Sequence, residues 1–505
     1  MRFLPKSRVG RTFLGLFTAL VASVAVCAIL LFLRWPFTKA KIVRELEEVS
    51  ASKVDVQSFR ATYFPRPGCV AGGLVFHHKQ DIGQPFIAIA SLRIESGMAG
   101  LFSEHIARVT AQGMHVTIAH GMQETFPEAK ASKIVIQDLI ADDSLLEFSP
   151  ADPTRQPLTF LVHQFHLQNV GTQNQTSFNV AVSNPLPPGK ITAHGRLGPW
   201  NQRREQTPVS GEYEFSNADL GAFHGIAGKL SSGGKFSGVL GRIEVSGDTD
   251  VTDFEVASST NRTELRTEFS ALVNMRNGDV DLHRVLAHFR QTVLLAVGRI
   301  AAQPEKGRTA EISLFCKNGR VQDLLRLFTK SGRVPMSGVL SFSAQASIPN
   351  GKQTFLKKVQ LTGNFGVVAG EFDKPETQHS VDHLSAGARG EKNPEDSDVV
   401  LSDLKGHADL RQGVATLSQL TFSVPGAVAD MHGTYNVITE RVDLHGDLTT
   451  RKSIANTSSG LKSVALRVLS PFFKKNHSEQ APVKITGSYS HPSFGLDLAG
   501  KKNGH

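Results

Sequence analysis

The sequence predicts a mainly β protein with one transmembrane helix at its N-terminus and a few short helices elsewhere. Two observations carry the β part. Apolar residues recur at every second position through most of the chain, as in Leu340, Phe342, Ala344, Ala346 and Ile348. That period places alternate side chains on opposite faces of a strand. Turn chemistry separates the runs. Asn277-Gly278 is a hairpin signal, Asn350-Gly351 ends the run at Ile348, and SNPLPPGK and SSGGKFSG read as glycine- and proline-rich loops. Alternation implies sheets with one apolar and one solvated face. A sandwich, a barrel and an open curved sheet all satisfy it.

The third observation is the apolar run itself. Residues 13–33, FLGLFTALVASVAVCAILLFL, carry no charge. About 21 residues at about 1.5 Å each reach roughly 31 Å, which matches a bilayer core. Phe13, Leu14, Leu16, Leu20, Val24, Leu30 and Leu33 are its transmembrane residues. Ser23-Val24-Ala25 has the small residues of a leader-peptide cleavage site, yet the apolar run continues well past Ala25. A cleaved leader does not need that length, so the sequence favours an uncleaved anchor. Arg2, Lys6, Arg8 and Arg11 precede the span, and Arg34, Lys39, Lys41 and Arg44 follow it. The local basic count is therefore a tie. The acid-free first tail and the long following body, which translocates largely regardless of charge, favour an N-in orientation.

After the span, TKAKIVRELEEVSAS predicts a short helix with Ile42, Leu46 and Val49 on one face. From Val54 onward period two prevails. It is seen at Ile134, Ile136 and Ile140, at Leu161, Phe165 and Leu167, and at Leu361 and Phe365. Further on, Leu420, Phe422 and Val424 alternate, as do Val442, Leu444 and Leu448. NADLGAFHGIAG reads as a short turn-rich helix. Residues 458–475 read as a stronger one, with Leu461, Val464, Val468 and Phe472 at helical spacing. That helix either lies in a membrane interface or packs on the end of a sheet. The segment from Asp373 to Asp398 is polar and charged and reads as a mobile loop or boundary. The expected organisation is a tail and anchor (1–34), an N-terminal β region (35–200), a central β region (201–372), the polar loop (373–398) and a C-terminal region (399–505).

The search for chemistry returns little. The chain has 505 residues, 40% of them apolar and 20% charged, with a net charge of +9. Over that length this is a mildly basic surface and not a nucleic-acid stripe. Phe outnumbers Tyr and Trp, 31 to 4 and 2. A wide greasy surface and an ordinary core both favour that bias. The three cysteines, Cys27, Cys69 and Cys316, give no framework signal. In GKLSSGGKF, Phe236 stands where a phosphate loop needs Ser or Thr. In DTDVTDFEV, Asp253 occupies the glycine position of a calcium loop. His77 and His78 would point to opposite faces of a strand. HExxH, GxSxG and CxxC are missing from the sequence. The expectation is a non-enzymatic protein with no cofactor.

One stretch carries more. In LKGHADLRQGVATLSQLTFSVPGAVADMHGTYNVITERVDLHGDL, a strand leads through Pro425-Gly426 to a Gly433-to-Tyr435 strand and a further strand closed by glycine. This pattern resembles the C-terminal region of the AsmA-like family of bacterial envelope proteins. The entry segments PFTKAKIVRELEEVSASKVDV and LFSEHIARVTAQGMHVTI are similar to that family's N-terminal part. The likeness covers nearly the whole chain in organisation, through glycine-and-alternation patterns and without catalytic signatures. The polar loop has no counterpart. The resemblance implies a single-pass bacterial inner-membrane protein with its bulk in the periplasm, linked to outer-membrane biogenesis and related to the TamB-type lipid-transfer bridges. It also implies a long curved antiparallel β-sheet whose groove holds phospholipid or another acyl lipid. Partners would then be that lipid, the inner membrane and outer-membrane assembly proteins, with no nucleic acid. The groove-face candidates are Leu340, Phe342, Ile348, Leu361, Phe365, Leu420, Phe422, Val424, Val442, Leu444 and Leu448. A structural or regulatory envelope role without lipid movement is the alternative.

Overall fold

The computed structural model describes residues 36–77, 85–97, 105–118, 134–149, 157–171, 173, 175–201, 203–256, 259, 261–275, 277–303, 307–329, 334–389, 399–450, 480–488 and 491–497. The expected span at 13–33 and the expected helix at 458–475 lie outside the described residues. Among the described residues no helix is long and apolar enough to cross a membrane. The fold is mainly β, with a long antiparallel sheet and few short helices. It divides into two compact units. One contains the chain up to Val182 plus Gly195–Pro208, and the other contains Ser183–His194 and the chain from Val209 onward.

In the first unit, α1 (Lys39–Ser50) precedes β1 (Lys53–Thr62), β2 (Gly68–His77), β3 (Pro85–Glu95) and β4 (His105–Ile118). These four strands pair antiparallel in sequence order. Next come β5 (Val135–Ile140), β6 (Ser144–Phe148) and β7 (Leu158–Val170). β5 and β6 both run parallel to β4 and antiparallel to β7. They act as one strand interrupted at Asp143, which has a left-handed φ of 51°. The core lies between one face of this sheet and α1, with Cys69, Ala71, Leu74 and Phe76 from β2 at its centre. The alternation changes phase between Ala71 and Leu74. Gly73, at φ 62°, absorbs the step, and Gly113, at φ 61°, does the same in β4. Only glycine takes that conformation without cost. The helix appears where the sequence predicts it, but its packed face is Ile42, Val43 and Leu46. Val49 is solvent-exposed. Leu161 of β7 is also exposed, while Phe165 joins the core.

Strands β8 (Thr176–Pro185) and β9 (Pro188–Leu197) are divided between the units. The second unit continues with β10 (Pro208–Asp219), a 3₁₀ turn at Leu220–Phe223, β11 (Ile226–Val239), β12 (Arg242–Val256), β13 (Thr263–Asn274), β14 (Val280–Phe289), β15 (Thr292–Gln303) and β16 (Gly307–Arg320). Helix α2 (Val321–Arg326) leads to β17 (Met336–Ile348), α3 (Phe355–Lys358) to β18 (Gln360–Phe372), and α4 (Pro375–Arg389) to β19 (Ser402–Arg411). The meander then runs through β20 (Val414–Val424), β21 (Ala427–Asn436), β22 (Arg441–Thr450), β23 (Gln480–Ser488) and β24 (His491–Leu496). From β12 to β24 every strand is antiparallel to the one before it.

Two expectations are corrected here. SSGGKFSG is not a loop but the body of β11, where Gly234 lies directly against Ser246 of β12 and leaves no room for a Cβ. The polar segment after Asp373 is not a loop throughout, because Pro375–Arg389 is helical. The predicted turns at Asn277-Gly278 and after Ile348 are present. The Asn277 carboxamide accepts the Asp279 N–H at 3.0 Å.

Each even-numbered strand from β12 to β20 carries one extra residue relative to the strand that follows it. At four of these bulges the extra residue is left-handed: Asp253, Asn318, Ala369 and Gln419. Bulges bend a strand and raise its local twist. The unit shows the result. Phe355, beyond the end of β17, donates its N–H at 3.0 Å to the His224 carbonyl, which precedes the start of β11. β11 and β17 run in the same direction, so opposite ends of the sheet have coiled into contact. Leu356, Val437 and Ile438 join Val256 and Phe289 in one cluster there.

Candidate functional site

Among the described residues no group of three or more His, Cys, Asp or Glu side chains is placed to hold a metal. Gly234-Lys235 lies in β11, the carboxylates from Asp248 to Glu255 lie along β12, and His77 ends β2. Cys69 and Cys316 are free and buried, and burial raises the Cys69 thiol to about 12. The feature that stands out is an apolar sheet face in the second unit.

Cross-strand register assembles that face. One row runs Leu340, Val367, Leu404, Phe422, Ala429, Leu448 and Ala481 from β17 to β23. Phe342 stands opposite Phe365 one step along. A third row runs Ala346, Leu361, Leu410, Ala415, Tyr435 and Val442. Leu444 opposes Ile485, Leu420 opposes Met431, Val424 opposes Ala427, and Ile348 opposes Ala310. All of the groove-face candidates therefore share one side. The bulge at Gln419 explains how Leu417 and Leu420, an odd step apart, both reach it.

The face has two regimes. At one end Leu340, Leu420, Val424 and Leu448 are 6%, 5%, 7% and 4% exposed. Helix α2 covers Leu340 and Val367 through Val321, Leu324 and Leu325. Helix α4 covers Val424 and Leu448 through Val381, Leu384 and Ala388. Ile348 and Leu361 are only half-buried and join neither cluster, whereas the half-buried Phe342 packs on the cluster under α2, and Phe365, Phe422 and Val442 pack on the one under α4. Leu444 is buried at 8% exposure. The strand members of the cluster under α4 all come from hydrogen-bonded neighbours, β18 to β23. It is therefore one sheet layer with a helix on it, not two sheets face to face.

Helix α4 is held by polar contacts. Asp382 Oδ1 accepts the Val400 N–H at 2.8 Å and the Gln378 side-chain amide at 2.8 Å. That amide also donates to the Val400 carbonyl, and the Phe372 N–H donates to Gln378 Oε1 at 2.8 Å. The Ser385 hydroxyl donates to the Pro425 carbonyl at 2.7 Å. Sequence reasoning missed this helix because its buried face is mostly small and polar.

The opposite sheet face is polar: Ser341, Ser343 and Gln345 on β17, Lys405 and His407 on β19, Asp443 and His445 on β22. There His445 Nδ1 lies 2.6 Å from Asp497 and Nε2 lies 3.1 Å from Asp443. The hydrogen bond with Asp497 raises the imidazole above its ordinary value, and the one with Asp443 adds to it.

No family model and no curated protein matches the chain.

Proposed function

We propose that this is a membrane-anchored protein of the bacterial envelope whose apolar sheet face shields the acyl chains of a phospholipid or similar lipid during transfer. The observation that supports the reading most is the half-buried part of the face. Ile348 and Leu361 lie half-buried on one side of a single sheet and belong to neither of the helix-capped clusters. Each buried CH₂ is worth about 0.8 kcal/mol, so acyl chains laid on such a surface gain several kcal/mol without any placed polar group. That fits a sequence free of catalytic signatures and the resemblance to AsmA-like proteins. A second reading has its own support at the other end of the face. Leu340, Val424 and Leu448 are covered by α2 and α4 as an ordinary core is, which suits a structural role in outer-membrane assembly.

Photocrosslinking in cells tests the proposal. A photoreactive residue at Ile348 or Leu361 should give lipid adducts by mass spectrometry, and one at Ser341 or Gln345 should give few. Equal labelling on both faces, or none, would sink the lipid-shielding reading and leave the structural one.

A further inference from the structure

The β1–β2 turn of the first unit reads Tyr63-Phe64-Pro65-Arg66-Pro67. Phe64 is 91% exposed and Tyr63 53%. Two adjacent aromatic side chains in solvent at a hairpin tip are costly to leave in water. Aromatic rings with a polar or basic surround are what a headgroup layer accommodates. The surround here is basic. Arg60 and Arg93 flank Val70 in one cross-strand row. Arg66 and Arg93 side chains are 62% and 58% exposed, and both approach the single carboxylate of Glu95, at 3.6 and 4.0 Å. Three guanidinium groups against one acid leave a net positive tip.

The direction of the tip is the second observation. Helix α1 runs antiparallel to β1. Near its C-terminal end Glu47 accepts the Val54 N–H at 3.1 Å, and at its N-terminal end Lys39 donates to the Val56 carbonyl at 3.0 Å. From Val56 the strand continues to Thr62, roughly 20 Å further at about 3.3 Å per residue. The hairpin tip therefore projects beyond the start of α1, at the end of the unit where the described chain begins.

We propose that the β1–β2 tip is a membrane-surface contact. Tyr63 and Phe64 enter the headgroup region of the bilayer that holds the anchor, and Arg60, Arg66 and Arg93 face anionic lipid. The proposal rests on the anchor in the reading above. It makes the first unit a foot with two points of contact, the span and the tip, which fixes its tilt on the membrane.

The test uses the full chain in vesicles of phosphatidylcholine with about 30% phosphatidylglycerol. A photoreactive residue replaces either Phe64 or Met275, which is also exposed, at 56%, but lies on a turn of the second unit. Lipid adducts at position 64 should exceed those at 275 by about fivefold or more, and should fall by a similar factor in vesicles lacking the anionic lipid. Comparable labelling at the two positions, or none at 64, overturns the proposal. Adducts at 64 that ignore the anionic lipid overturn the role of the arginines. Flotation of the same vesicles reports the anchor separately, and adducts at position 361 report the lipid-shielding face, so each can fail alone.

Discussion

On the polar face, His445 gains two carboxylate neighbours when the chain folds. Its ring is shared between Asp497 and Asp443, and the raised imidazole means that folding favours the charged form. The stabilisation is complete below the unfolded value near 6.5 and fades as pH rises through the higher folded value. With its side chain 38% exposed the effect is modest. An NMR titration of the imidazole should give a midpoint above 6.5, and His445→Gln should lower the melting temperature at about pH 5 while barely changing it at about pH 8. A midpoint at or below the ordinary value would refute the assignment. None of this was legible in sequence, because Asp497 is far from His445 along the chain and comes beside it only through the pairing of β22, β23 and β24. The greasy-face residues were legible, since their alternation is local and survives in the fold.

Among the elements, the strands were readable and the covering helices were not. Period two is written directly in β17 and β18, and even the bulge in β20 leaves Leu420, Phe422 and Val424 in phase. Helix α4 buries Gln378, Asp382, Ser385 and Ala386 alongside Val381. Hydrogen bonds to Val400 and Pro425 replace the apolar stripe that helical periodicity detects. That substitution makes the helix sensitive to one carboxylate. Asp382→Ala leaves the buried Val400 N–H without its acceptor and should cost about 1–3 kcal/mol, with faster hydrogen exchange at Val400. Asp382→Asn keeps an acceptor oxygen and should recover most of the loss. If both variants melt like the parent, the contact does not hold the helix in place.

For the molecule as a whole, the apolar face decides whether substitution damages stability or function. Leu448→Asp places a carboxylate under α4, where the parent side chain is 4% exposed, and should cost about 3 kcal/mol or more. Leu361→Asp falls on the half-buried part and should change stability by about 1 kcal/mol or less while abolishing lipid adducts nearby. Thermal melting and crosslinking on the two variants separate a core from a binding surface, and identical behaviour would mean that the face has no such division. Which part is covered was not visible in the sequence, because the cover comes from segments with no apolar rhythm of their own. The strand order from β11 to β24 has a further consequence, for synthesis. Each strand needs only its predecessor, and apart from the connections before β19 and β23 the loops closed in pairing are short, so the entropy spent at most steps is small. A chain threaded N-terminus first through a narrow pore can therefore lay down this sheet strand by strand as it emerges. At any moment a single growing edge stays open, and it is satisfied by the next strand to arrive.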